Sequence, residues 1–379
     1  MTKVPQSGTL RMLDIAKQLE REGREIIHME VGEPDFDTPE HIKHVAQDAL
    51  ARGTTKYTPS AGIPELREAI AEHLKGKGVQ AAAKEVLVTP GAKHAIFCAM
   101  SAALDPGDEV IIPSPCWTYE GIALINGAKP IFIETTQEDE FRLRIENLQE
   151  KLNSKTRMLV LNYPNNPTGA TMAKQDLRAL ADLAVDHEFW VLSDEIYDCL
   201  IYEGEKASIA SMPNMHERTI YINGFSKAYA MTGWRLGYSV APAELTQEMI
   251  KIQQASTSCA AAFVQAAGVA ALHGPQDCVD EMREEYRKRR DVIVDGLNLI
   301  EGFNCIKPKG AFYVFPNIEE LNMKSSELCE RILKEAGVAA VPGSEFGPYG
   351  EHHLRFSYAT SMQNIKNALE RMNSLIERL

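Results

Sequence analysis

Lys227 is the residue best placed for covalent chemistry in this chain. It stands in "NGFSKAYAMTGWRLGY" (223–238), among small and apolar residues, and the next cation is Arg235, eight positions on. Burial disfavours the ammonium form of a lysine, and the neutral amine attacks carbonyl groups. The plainer alternative is a lysine whose stem packs while its head reaches water, so the other motifs have to decide. "VLVTPGAKHA" sets Gly91 and Ala92 at the start of a helix, where free N–H groups in a positive field would cradle a phosphate. "VLNYPNNPTG" holds Asn166 in a tight Pro/Gly turn. "WVLSDEIY" puts Asp194 at the exit of an apolar strand, where a carboxylate is expected to be buried and paired, with Tyr197 three positions on.

Each of these motifs is an ordinary turn when taken alone. Their positions in the surrounding elements are what bring them together. From about residue 85 the chain repeats apolar strand, turn and helix, as in "EVLVTPGAKHAIFCAMSAAL" and "DLRALADLAVDHEFWVLSDEIY". Near-continuous apolar strands separated by helices predict an α/β fold with a mostly parallel sheet between helices. Ligands bind such sheets beyond the C-terminal ends of the strands. All four motifs follow strands, so they are expected on one rim. A ligand using all of them carries a phosphate, a carbonyl for the lysine, a ring nitrogen whose charge pairs with Asp194, and a phenolic oxygen for Asn166 and Tyr197. Pyridoxal phosphate fits that description, and its ring is an electron sink.

The rest of the chain reads differently. A long charged helix, "GPQDCVDEMREEYRKRRDVIVDGLNLI", leads to a strand pair around "KPKGAFYVFP", a helix near 325–336, the strand "HHLRFSYA" and a last helix. We expect a large cofactor-binding domain at 45–280 and a smaller α+β domain made of 1–44 and 281–379. The formal net charge of -13 argues against a nucleic-acid partner. Seven cysteines, none spaced as CxxC, suggest neither a metal site nor a disulfide framework. "MTKVPQSGTLRMLD" lacks the apolar core of a signal peptide, and "CAAAFVQAAGVAAL" is too short to span a bilayer. No membrane association is expected, and the cytoplasm is the expected location.

The ordered set "PNNPTG", "SDEIY" and "SKAYAMTGWRLGY", within matches running from "VGEPDFDTPEHI" (31–42) to "HHLRFSYA" (352–359), resembles the class I/II pyridoxal-phosphate-dependent aminotransferases of fold type I, in the aspartate aminotransferase-like branch. The resemblance implies that Lys227 condenses with the cofactor and later moves the substrate's proton. Asp194 would keep the pyridine nitrogen protonated, and Tyr197 and Asn166 would bond the phenolic oxygen. Trp117 would stack on the ring. Gly91, Ala92, Lys93, Ser226 and Arg235 would hold the phosphate, joined by Tyr57 from the partner in a homodimer with shared sites. Arg355 would grip the substrate α-carboxylate, with Gly32 close by and Asn166 and Trp117 alongside. Many relatives have Ser or Thr three residues before the lysine. Here that position is Gly224, and Ser226 is its possible substitute.

The implied reaction is ping-pong transfer of an amino group from an L-amino acid to a 2-oxo acid, with aspartate and 2-oxoglutarate as the leading pair. Aromatic, alanine or diaminopimelate-type substrates stay open, as do a C–S lyase, a ring-forming synthase and a non-catalytic sensor. A dicarboxylate needs a second cation, for which Arg11, Lys93 or a partner residue are the candidates.

Overall fold

The computed structural model describes Val4 and residues 8–379. Twelve strands fall in this span: β1 (Ile27–His28), β2 (Val86–Thr89), β3 (Glu109–Ser114), β4 (Lys129–Glu134), β5 (Thr156–Asn162), β6 (Trp190–Asp194), β7 (Thr219–Gly224), β8 (Gly237–Val240), β9 (Tyr313–Val314), β10 (Val338–Ala339), β11 (Val341–Pro342) and β12 (Leu354–Ser357). Seven of them form one sheet in the order β2-β8-β7-β6-β5-β3-β4. Within it β7, β6, β5, β3 and β4 run parallel, and β8 runs antiparallel between β2 and β7. The fold is therefore α/β with a mostly parallel sheet.

Both faces of the sheet are covered, which explains the unbroken apolar runs. Successive side chains of a strand point to opposite faces. Along β5, Met158 and Val160 pack with Ala95, Ala99 and Met249 on one face. Leu159 and Leu161 pack with Leu177, Leu180, Ala181 and Ala184 on the other. Those last four stand at helical spacing on one stripe of helix Lys174–Asp186. Helix Ala92–Ala103 buries Ala95, Ile96, Cys98, Ala99 and Met100, more than one stripe, because the sheet and helix Ala243–Ser256 enclose it.

The ends of the chain meet in a second core. It joins Met12, Ala16 and Ile27 to Phe312, Val338, Phe356 and Met372. Here β1 pairs in parallel with β10, while β11, β12 and β9 make a small antiparallel sheet. The "KPKGAFYVFP" segment contributes only the two-residue β9, which pairs with β12. Helix Asp277–Leu297 is the long charged one, with eight buried residues that include Arg289 and Arg290.

The strand ends set up the site. In the sheet Asn162 stands beside Asp194, and Asp194 beside Ile222, so β5, β6 and β7 finish level with one another. The antiparallel β8 begins at the same edge, where Gly224 pairs with Gly237, and it brings Arg235 to the rim.

Candidate active site

Beyond that rim lies a cleft of about 320 Å3 whose walls include Gly32, Lys93, Trp117, Asn166, Asp194, Tyr197, Ser226, Lys227, Arg235 and Arg355. Lys227 follows β7 by three residues, and its Nζ donates to the carbonyl oxygen of Gly32. Burial pulls its ammonium down to about 8, below the usual lysine value, with Glu33 opposing and Arg355 and Arg235 adding to the fall. More neutral amine is then present near neutral pH than an ordinary lysine would offer.

Asp194, 5% exposed at the end of β6, is held from two sides. The Tyr119 hydroxyl donates to its Oδ2 at 2.7 Å, and the Ile196 amide donates to its Oδ1 at 3.2 Å. Burial nevertheless pushes its carboxyl up to about 6. A cation seated against it would favour the ionised form. The pairing expected for this buried acid is met within the described residues by Tyr119.

Arg355 on β12 is almost wholly buried. It donates through one terminal nitrogen to Asn166 Oδ1 at 3.1 Å and through the other to the Glu30 carbonyl oxygen. Its guanidinium lies 4.7 Å from the centre of the Tyr313 ring and 5.0 Å from that of Phe346. Among the described residues its Nε has no partner, so this buried cation retains hydrogen-bonding capacity. Asn166 is itself pinned, its amide N–H donating to Asn162 Oδ1 at 2.9 Å. With Arg355 on Asn166 Oδ1, the Nδ2 protons of Asn166 meet no acceptor among the described residues and can donate to a ligand.

Gly91 caps helix Ala92–Ala103 with φ +88°, a left-handed conformation natural to glycine. A Cβ there would also overlap the Arg235 guanidinium. The first amides of the helix, at Ala92 and Lys93, have no intrahelical acceptor by geometry. Arg235 lies beside this helix start, and Ser226 lines the same cleft. Lys93 Nζ sits 4.7 Å from the centre of the Trp117 ring, and burial, followed by Arg235, lowers its pKa.

Two of the residues considered lie outside this chain's own cleft. Tyr57 is 89% exposed and absent from the cleft wall. Arg11 also lies outside the cleft, paired with Glu345 at 2.6 Å. From its helix, Thr9 and Leu10 reach the cleft instead. At Gly224 a Cβ would stand 2.9 Å from Gly237 Cα and 2.9 Å from the Leu236 carbonyl oxygen, so close strand pairing leaves no room for the hydroxyl residue of many relatives.

Two buried tyrosines were not singled out from the sequence. Tyr119 lies two residues beyond Trp117 and meets Asp194 across 75 residues of chain. Tyr313 places its hydroxyl 2.7 Å from that of Tyr197 across 116 residues. Neither carries a local signal, since both read as core aromatics.

The donor set fits pyridoxal phosphate. Four cations, Lys93, Lys227, Arg235 and Arg355, line one cleft with two acids, Asp194 and Glu33. That excess suits a phosphate and a carboxylate together, while the single deep acid suits a ring N–H. Comparison with known proteins agrees. Residues 24–372 match the family described as aminotransferase class I and II. An aspartate aminotransferase of Pyrococcus abyssi is 44% identical over 372 residues, 97% of this chain and 94% of that protein. An aromatic-amino-acid aminotransferase of Thermococcus litoralis is 43% identical over 373 residues, 97% of this chain and 95% of its own. Among solved structures, aspartate aminotransferase from Thermus thermophilus with maleate superposes with a TM-score of 0.95 at 42% identity, covering 99% of this chain and 98% of that one. This chain belongs to the class I and II aminotransferases, and is a pyridoxal-phosphate-dependent enzyme that transfers amino groups.

Proposed function

We propose that the enzyme moves the amino group of L-aspartate to 2-oxoglutarate by a ping-pong mechanism, as a cytoplasmic homodimer. One observation carries the substrate choice: the cleft holds Lys93 as well as Arg355. An amino acid with one carboxylate needs only the arginine. A second cation answers a second carboxylate, which aspartate and 2-oxoglutarate both have. Two of the relatives described above are named for aspartate, and the Thermus protein was solved with maleate, itself a dicarboxylate.

The chemistry supplied by the bound cofactor is an electron sink for charge released at the substrate α-carbon. The chain's residues do the rest. Arg355 holds the α-carboxylate in a planar fork, a task that suits arginine better than lysine. Asn166 steadies that fork and, with Tyr197, donates to the phenolic oxygen. Asp194, backed by Tyr119, retains the proton on the ring nitrogen. Lys227 takes the proton from the α-carbon and redelivers it, a task for a neutral amine and consistent with its depressed pKa. The amides of Ala92 and Lys93, Ser226 and Arg235 hold the phosphate, with Trp117 against the ring.

The exposure of Tyr57 supports a dimer in which this side chain serves the partner's phosphate. All seven cysteines are free, in keeping with a reducing compartment, and no described helix is long and apolar enough to cross a membrane. A second reading, an aromatic amino donor, is favoured by Leu10, Ile96 and Trp117 on the cleft wall. Absorbance of the protein loaded with pyridoxal phosphate separates the two. The visible band should bleach with micromolar to millimolar aspartate and return with 2-oxoglutarate. Bleaching by phenylalanine or tyrosine but not by aspartate would reverse the assignment.

A further inference from the structure

Tyr313 opens β9 and is held in register against Ser357 of β12. It is 1% exposed. Its ring stands edge-on to that of Tyr197, with centroids 5.7 Å apart and planes at 82°, and the two hydroxyl oxygens are 2.7 Å apart. Among the described residues its hydroxyl makes no other hydrogen bond. At position 32 a Cβ would overlap this hydroxyl, so glycine there is what admits it. Against the Tyr313 ring lies the Arg355 guanidinium.

Burial raises the pKa of both phenols, so each keeps its proton at neutral pH. Two hydroxyls at this distance share one hydrogen bond, and one proton is left over. If Tyr197 directs its proton to the phenolic oxygen of the cofactor, Tyr313 has the Tyr197 oxygen as its acceptor. A hydroxyl that accepts a hydrogen bond becomes a better donor, since chains of such bonds polarise one another.

We infer that Tyr313 is a positioning residue that acts through Tyr197, fixing its hydroxyl toward the cofactor and strengthening its donation to the phenolic oxygen. The inference rests on the cofactor-binding role given to Tyr197 above. Tyr313 also lies under the arginine that takes the substrate carboxylate, so one side chain braces both the carboxylate grip and the phenolic-oxygen contact.

The test is a pH titration of the visible band of the protein loaded with pyridoxal phosphate, without substrate. A donor on the phenolic oxygen stabilises its anionic form and competes with the proton held beside it, so weakening the donor raises the midpoint. Tyr313→Phe removes one hydroxyl and keeps the ring, and it should raise the midpoint by about 0.3–1 pH unit. Tyr197→Phe should raise it further. The double variant should match Tyr197→Phe to within about 0.2 unit, because Tyr313 then has no hydroxyl to act through. An unchanged midpoint in Tyr313→Phe, or an equal shift with Tyr197 present or absent, overturns the inference while leaving the cofactor assignment intact. If the wild type shows no visible band, the cofactor reading and this inference fall together.

Discussion

The Tyr119 hydroxyl and Asp194 Oδ2 lie 2.7 Å apart, and both residues are buried. Burial alone drives the Asp194 carboxyl upward, and this contact is the largest of the forces opposing it. Tyr119→Phe should therefore leave the carboxylate less ionised near neutral pH and loosen its hold on the ring proton. We expect kcat/KM to fall by about tenfold to a hundredfold, the range for a hydrogen bond to a charged group. The acid limb of the pH–rate profile should move to higher pH. A profile identical to wild type would show that the contact only fills space.

Lys93 tests the proposed substrate. With Lys93→Ala, KM for aspartate should rise by about 10–100-fold through loss of one charge-assisted contact. KM for alanine or phenylalanine, which bring no second carboxylate, should change by less than about threefold. Equal losses for all three would instead tie Lys93 to the phosphate end of the cleft. Steady-state kinetics on the three donors decide it.

Gly224 offers an expectation that runs against the pattern of many relatives. Restoring a hydroxyl with Gly224→Ser would push a Cβ against backbone atoms of Leu236 and Gly237, neither of which is a flexible side-chain end. Overpacking of this kind costs about 1–3 kcal/mol. The urea midpoint should drop accordingly, with no gain in affinity for pyridoxal phosphate. Tighter cofactor binding at undiminished stability would contradict the packing argument.

His28 links stability to alkaline pH. Its Nδ1 lies 2.7 Å from an oxygen of the fully buried Glu30, and its Nε2 lies 3.0 Å from Glu20. The bond to Glu30 leads the forces that raise its pKa from 6.5 to about 9. Because the folded-state value is the higher one, the stabilisation is complete below about 6.5 and is lost as pH rises through about 9. His28→Gln should be less stable than wild type at pH 7, and the gap should narrow by pH 10. Denaturant melts at both pH values, with ionic strength matched, give the comparison. A gap constant with pH would mean that His28 contributes no proton linkage.

Lys227, Asp194 and Asn166 were legible in the sequence because each sits at or just after the end of an apolar strand. In parallel neighbours those ends fall level, so order along the chain became proximity on one rim. Arg355 carried no such signal of its own and was found through the motif "HHLRFSYA". Tyr119 and Tyr313 were hidden for a physical reason. Each lies among residues that read as core, in "PSPCWTYE" and "KGAFYVFP", and gains a polar role only from a partner on a distant element. Glu30 was equally silent, since its carboxylate points to His28 while its carbonyl serves Arg355. Arg11 misled because charge can be read from sequence but direction cannot, and Glu345 claims it.

The pairing of β1 with β10, and the seating of Arg355 on the Glu30 carbonyl 325 residues away, also bear on how the molecule is made. A ribosome releases the Glu30 segment 325 residues ahead of Arg355. The seven-stranded sheet, complete by Val240, can assemble while the amino-terminal strand still has no mate. The substrate grip is thus completed only after every strand of the seven-stranded sheet has been made. A chain halted before β10 carries the lysine and the phosphate cradle without the arginine, and leaves the apolar Ile27 and Met29 for a chaperone or a protease to find.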